Sequence, residues 1–201
     1  MMAVRTVPVS RHVAFFSLAI AGCAIDLWSK DWVFARLGLP RPDGDSTKTE
    51  WIWEGYFALQ TSLNPGALFG MGGGSSDASY WFAGLSVVAA LGILYWLFVV
   101  GAGRDWLLTI SLGSITGGIF GNLYDRLGLW QATLSDGSSI TGIHKVRDWI
   151  LWTYQGSRWP NFNIADSLLV CGAALLAWHA FSCGKPEEGK SARNGNDSQK
   201  P

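Results

Sequence analysis

Three aspartates stand where acid–base chemistry could be done. Asp125 closes the run Gly121-Asn122-Leu123-Tyr124-Asp125-Arg126, Asp166 closes Phe162-Asn163-Ile164-Ala165-Asp166, and Asp148 lies between them in Val146-Arg147-Asp148. Asp125 ends one apolar run and Asp166 opens another. A charge near a bilayer core costs ~2.5–3.5 kcal/mol on insertion scales, so acids in such places are functional candidates. Grouped at one end of apolar helices, they point to an acid–base site embedded in a membrane.

The elements that must position them are long and apolar. The 201-residue chain is 49% hydrophobic with a mean hydropathy of +0.20, above that of an average soluble domain. Residues 80–103 carry no charge and suffice to cross a ~30 Å hydrocarbon layer. Residues 106–124 and 167–184 are likewise uncharged and long enough, within helices over about 106–125 and 163–184. A first helix over about 13–34 is uncharged only to Ile25, and its Asp26 and Lys30, four apart, can pair on one face. The expected architecture is a membrane all-α core: a four-transmembrane-helix bundle with a small β-rich extracytoplasmic cap from two long loops, about 37–79 and 127–161. Strand-like runs at 51–53, 56–63 and 146–154, with turn signals at Asn64-Pro65-Gly66 and Ser135-Asp136-Gly137, supply the cap. A single domain covers residues 1–184, and the polar tail 185–201 reads as disordered and cytoplasmic. Trp81, Trp106, Trp152 and Trp159 fall near predicted helix ends, as an interfacial belt would place them.

Charge fixes orientation only weakly. Seven Lys and Arg fall on each predicted side, but the inner segments are shorter and denser in charge, which favours both termini in the cytoplasm. Fifteen basic and fifteen acidic residues form no stripe, so no nucleic-acid partner is indicated. Cys23, Cys171 and Cys183 lack zinc-ligand spacing and read as small core residues. The three scattered histidines make no metal site. The stretch from Arg5 to Cys23 imitates a signal peptide with a lipid-modification box, but an amphiphilic helix continues past it through Lys30.

Each polar residue also has a plain structural reading. Gly113, Gly117 and Gly121 form a small-residue stripe for helix packing. Arg126 can neutralise its neighbour Asp125, Asp166 can cap its helix, and Asp148 can be a loop acid, although Trp149 to Trp152 argue against full solvation.

Taken together, these blocks resemble the lipoprotein signal peptidases (signal peptidase II), a family of bacterial membrane aspartyl peptidases. The resemblance rests on 26–30, 58–70, 117–126, 146–148 and 159–166, which run in family order and cover roughly residues 12–184. It implies that Asp148 and Asp166 are the catalytic pair. It also implies that Asp125 is a supporting acid, and that Asp26, Lys30, Asn64, Gly66, Asn122, Arg126, Asn163 and Ala165 support the site or bind substrate. The implied substrate is a diacylglyceryl prolipoprotein, cut before its lipidated cysteine by a monomer in contact with membrane lipid. No metal or cofactor is required, and the implied place is the inner membrane with the site at the outer leaflet. Three features depart from the family pattern: about 21 residues between Arg126 and Asp148, Arg147 where an apolar residue is usual, and Pro65 after Asn64. The inserted segment, about 127–145, is expected to enlarge the cap over the cleft. The rival readings are a proton-coupled carrier, which would show internal repeats, and a non-catalytic scaffold.

Overall fold

The computed structural model describes residues 6–40, 48–66, 78–134 and 137–183. The expected disordered tail, 185–201, lies outside the described residues. Four helices are long and apolar enough to cross a membrane, and with exposed apolar side chains such as Trp81, Val88, Trp178 and Phe181 they make this a multi-pass membrane protein.

Helix α1 (Val9–Leu37) runs further than its apolar core suggests. Its length, about 44 Å at 1.5 Å per residue, exceeds the bilayer core. It stops only where Gly38 turns to φ 81° and donates its N–H to the carbonyl of Phe34. The surplus turns carry Val33, Phe34 and Leu37 into a core shared with the sheet. Helix α2 (Ala78–Leu94) continues as a π-turn, Tyr95–Val99. It is shorter than the charge-free run through Gly103, because Gly101 adopts φ 91° and reverses the chain. Helix α3 (Trp106–Arg126) begins with Asp105 accepting from the Leu108 N–H. Helix α4 spans Ile164–Cys183.

Helix α3 lies at the centre, flanked by α1, α2 and α4. Its glycines permit this, as the packing reading requires. A Cβ on Gly117 would stand 3.1 Å from the Ala19 carbonyl of α1, and one on Gly118 would collide with the Ala165 carbonyl of α4. Gly121 faces both the Asp26 carboxylate and the Ala165 methyl.

The strands β1 (Thr49–Trp53), β2 (Phe57–Asn64), β5 (Val146–Tyr154) and β6 (Ser157–Arg158) form one antiparallel sheet in the order β1-β2-β5-β6. Two short strands, β3 (Ala132–Thr133) and β4 (Ser139–Ile140), pair separately within the inserted segment. The β2–β5 ladder slips between Leu59 and Ser62, so that two residues of β2 oppose Trp149. Below the bulge Ser62 faces Asp148 and Asn64 faces Val146. On the other side of β5, Trp149 and Ile150 donate their N–H groups to the Phe162 carbonyl, which lays the 159–163 segment beside the strand and delivers the chain to the start of α4. The first six residues of β5 are all buried, because helices cover the face that the cleft does not use.

Two of the cysteines are not core residues as expected: Cys171 is exposed and Cys23 is half-buried, and the side chain of Cys183 lies outside the described residues.

Candidate active site

Asn163 is the residue around which the site is built. It is the N-cap of α4, and its Oδ1 accepts from the Asp166 N–H at 2.9 Å while Asp166 Oδ2 accepts from the Asn163 N–H at 3.2 Å. This is a reciprocal capping box, so the capping expected of Asp166 does occur. The Asn163 Nδ2 donates to Asp148 Oδ1 at 2.7 Å and also reaches Asn122 Oδ1 at 3.0 Å. One buried residue therefore holds both carboxylates, Asp148 through its side-chain amide and Asp166 through its backbone N–H.

The remaining carboxylate oxygens are met by other amides. Asp166 Oδ1 accepts from Asn122 Nδ2 at 2.9 Å, and Asp148 Oδ2 accepts from Asn64 Nδ2 at 3.1 Å. Asn64 is fixed in turn by the Gly66 N–H, which donates to its Oδ1 at 3.0 Å. Gly66 also accepts from Arg126 Nη2 at 3.3 Å. No hydrogen bond or ion pair among the described residues joins either carboxylate to a cation. Asp148 is 2% exposed. That burial, followed by the neighbouring Asp166 carboxylate, pushes the Asp148 carboxyl up to about 8.

A second cluster lies behind the first. Lys30 Nζ pairs with Asp26 Oδ2 at 2.6 Å and Asp125 Oδ2 at 3.1 Å, and donates to Asn122 Oδ1 at 3.0 Å. Asp26 Oδ1 accepts from the Ala165 N–H at 2.8 Å, tying α1 to the first turn of α4. Asp125 takes Arg147 three times: from its N–H at 3.0 Å, its Nε at 3.0 Å and its Nη2 at 2.8 Å. The other guanidinium nitrogen pairs with Asp31. Burial opposes the charge on Arg147, yet Asp125 and Asp31 outweigh it and raise its pKa.

Two expectations are corrected here. Arg126 does not neutralise Asp125: it reaches Gly66 and lies over the Phe82 ring at 5.6 Å, while Lys30 and Arg147 take the acid. The described residues of the inserted segment do not roof the cleft. Its Trp130 and Ala132 are buried in the core with Phe34 and Trp149, and none of its described residues lines the cleft. Arg147 and Asp31, absent from the predicted set, complete the second cluster. A cation inside the apolar strand run 146–151 was the available signal.

The cleft itself, of about 810 Å³, starts at Asp166, Asn122, Asn64 and Arg126. It continues between the outer face of α4 (Val170, Cys171) and the β5–β6 hairpin, whose Trp152, Tyr154, Arg158 and Trp159 line it. It is thus polar at its closed end and aromatic along its length.

Comparison with known proteins agrees with this arrangement. The family described as Signal peptidase (SPase) II matches residues 18–182. A protein of Rhodopirellula baltica named lipoprotein signal peptidase is 48% identical over 188 residues, 93% of this chain and 80% of its own. One of Symbiobacterium thermophilum with the same name is 33% identical, over 81% of this chain and 90% of its own. The fold is that of a bacterial membrane enzyme solved by the in meso method at 2.3 Å, with a TM-score of 0.65, 20% identity, and coverage of 88% of this chain and 94% of that one. The chain belongs to the signal peptidase II family, which makes it a peptidase; the carrier reading finds no support.

Proposed function

We propose that Asp148 and Asp166 are the catalytic pair of an aspartic endopeptidase that removes the signal peptide from diacylglyceryl prolipoproteins, cutting before the lipidated cysteine. The observation that carries this is the Asn163 bridge: one residue holds both carboxylates, Asp148 through its side-chain amide and Asp166 through its backbone N–H, with no ion pair to a cation among the described residues and with Asp166 lining the polar end of the cleft. Like charges so placed do not both ionise, so the pair shares one proton.

The ionised member takes a proton from a water lying between the two carboxyls, and that water adds to the scissile carbonyl. The protonated member donates to the developing oxyanion and then, as the tetrahedral intermediate collapses, a proton passes to the leaving amine. Which aspartate starts protonated belongs to the pair, not to either residue. Asn64, Asn122 and Asn163 donate to the carboxylates throughout and so hold them in place while the charge moves. The Arg126 guanidinium, half-buried at the same end of the cleft, is the nearby positive group for the developing negative charge.

The substrate fits the cleft's two characters. An extended peptide reaches the polar end beside β5, and apolar acyl chains lie along Trp152, Val170 and the outer face of α4, where lipid is adjacent. The site then stands at the outer leaflet of the bacterial inner membrane, with both termini cytoplasmic and the enzyme a monomer.

The experiment is cleavage of a purified diacylglyceryl prolipoprotein in detergent by the wild type, Asp148→Asn and Asp166→Asn. Each variant should lose at least about 10³-fold in kcat while still binding substrate. Turnover surviving in folded Asp148→Asn would remove that residue from the pair.

A further inference from the structure

The reaction uses neither Arg147 nor the inserted segment, yet among the described residues Arg147 is the largest side chain that is fully buried. It is also the residue immediately before Asp148. Side chains alternate along a strand, so Asp148 stands on the same face of β5 as Val146 and Trp152, which line the cleft, while Arg147 looks back to Asp31 of α1 and Asp125 of α3. We propose that Arg147, gripped between Asp125 and the ring of Trp130, is a positioning residue that sets where Asp148 stands against Asp166. This rests on the reading of those two aspartates as the reacting pair.

Three features of Arg147 transmit position. Its N–H and its side chain both bond Asp125, so backbone and guanidinium are anchored to one point at the end of α3. Its carbonyl accepts from Asn163 Nδ2 at 3.3 Å, the same amide that holds Asp148. And its guanidinium lies 4.8 Å from the centroid of the Trp130 ring, with Phe34 at 6.0 Å. A shift of Arg147 therefore moves Asp148 and its amide partner together.

Trp130 is well placed to prevent such a shift. It is 3% exposed, and the chain that carries it leaves α3 directly after Arg126. That departure is pinned by the Tyr124 hydroxyl donating to the Leu129 carbonyl at 2.9 Å and by the Leu129 N–H donating to the Tyr124 carbonyl at 3.3 Å. The last turn of α3 thus supplies both jaws of the clamp, Asp125 directly and Trp130 through the insertion. A misplacement near 1 Å in a reacting group costs about 10²-fold in rate, so the clamp should be read in kcat rather than in substrate affinity.

The test measures kcat and KM on a purified diacylglyceryl prolipoprotein for Trp130→Ala, Trp130→Phe, Arg147→Met and the double variant Trp130→Ala/Arg147→Met, below each unfolding temperature. Arg147→Met should lose about 10- to 100-fold in kcat and Trp130→Ala about 5- to 20-fold, with KM within about twofold of wild type. Trp130→Phe, which keeps an aromatic face, should restore most of the loss. The double variant should be no slower than Arg147→Met alone, because one clamp has been broken twice. If Arg147→Met does not fold, the contrast between Trp130→Ala and Trp130→Phe decides alone. Unchanged kcat in folded Trp130→Ala, with only the unfolding temperature lowered, overturns the proposal and leaves Trp130 a packing residue. Asp148→Asn in the same assay separates the two levels: if it still cuts, the catalytic pair is wrong and the positioning role falls with it. If it is inactive while the Trp130 variants keep full kcat, only the positioning role fails.

Discussion

Asp125 and Asp148 are both buried aspartates, but their surroundings differ. Behind β5, Asp125 meets two full cations, Lys30 and Arg147, in tight ion pairs. In front of β5, the hydrogen bonds to the Asp148 carboxylate among the described residues come from the amides of Asn64 and Asn163. Paired this way, Asp125 ties α3 to α1 and β5 and holds structure. Amides orient a carboxylate without fixing its charge, so it can gain and lose a proton as a reaction proceeds. One strand separates the two environments, and adjacent residues, Arg147 and Asp148, belong to one each.

The largest expected effect comes from erasing that difference on the structural side. Asp125→Asn leaves Lys30 and Arg147 buried with weakened partners, and breaking a buried pair in this way costs about 3–5 kcal/mol. Thermal unfolding in detergent should show a marked drop for Asp125→Asn and none for Asp148→Asn at pH 8. A stable Asp125→Asn that no longer cuts would reverse the assignment of the two acids.

The pH dependence sharpens the same contrast. Burial, with the neighbouring Asp166 carboxylate, pushes the Asp148 carboxyl up from its ordinary 3.8 to about 8. Below 3.8 the group is protonated whether folded or not and contributes nothing. As pH rises toward 8 the unfolded chain releases this proton and the native state keeps it, so stability falls across that window and levels off above it. Asp148→Asn lacks this loss and should be the more stable protein at pH 8, by roughly 2–5 kcal/mol. Unfolding temperatures of the two proteins at pH 5 and pH 8 measure it, and parallel curves would contradict it. Turnover by the wild type should decline above the same pH, as the shared proton is lost.

The smallest effect lies at the edge of the paired cluster. Asp31 completes the partners of Arg147, but its side chain is 70% exposed. Asp31→Asn should cost less than about 1 kcal/mol, shown by an unfolding temperature close to wild type. A large drop would mean that the cluster depends on its outermost charge.

The four helices were legible because each contains a long apolar run with few or no charges, and the three main strands, 49–53, 57–64 and 146–154, because short apolar and aromatic runs stand beside turn signals. The ends were less so, since α1 outruns its apolar core and stops at Gly38, and α2 stops short where Gly101 turns. In the site, Asp26 with Lys30 was readable from four-residue spacing on one helix. Arg126 looked like the natural partner of Asp125 because it is next in sequence, but consecutive helical residues do not face each other. The true partner, Arg147, comes from a strand 22 residues away, and nothing local announces a contact between separate elements. The β2 bulge that brings Ser62 opposite Asp148 is equally silent. The pairing of Asp148 with Asp166 came from resemblance to a family, not from periodicity.

The capping box on α4 has a thermal consequence. Asp166 spends one oxygen closing the first turn of its own helix and offers the other to Asn122. Helix ends fray at lower temperature than the body of a protein melts. When this turn frays, Asp166 and Asn163 leave together, and the proposed catalytic pair loses one member and its bridge in a single event. Heat inactivation should therefore run ahead of global melting, with activity returning fully on cooling as long as the bundle beneath has stayed intact.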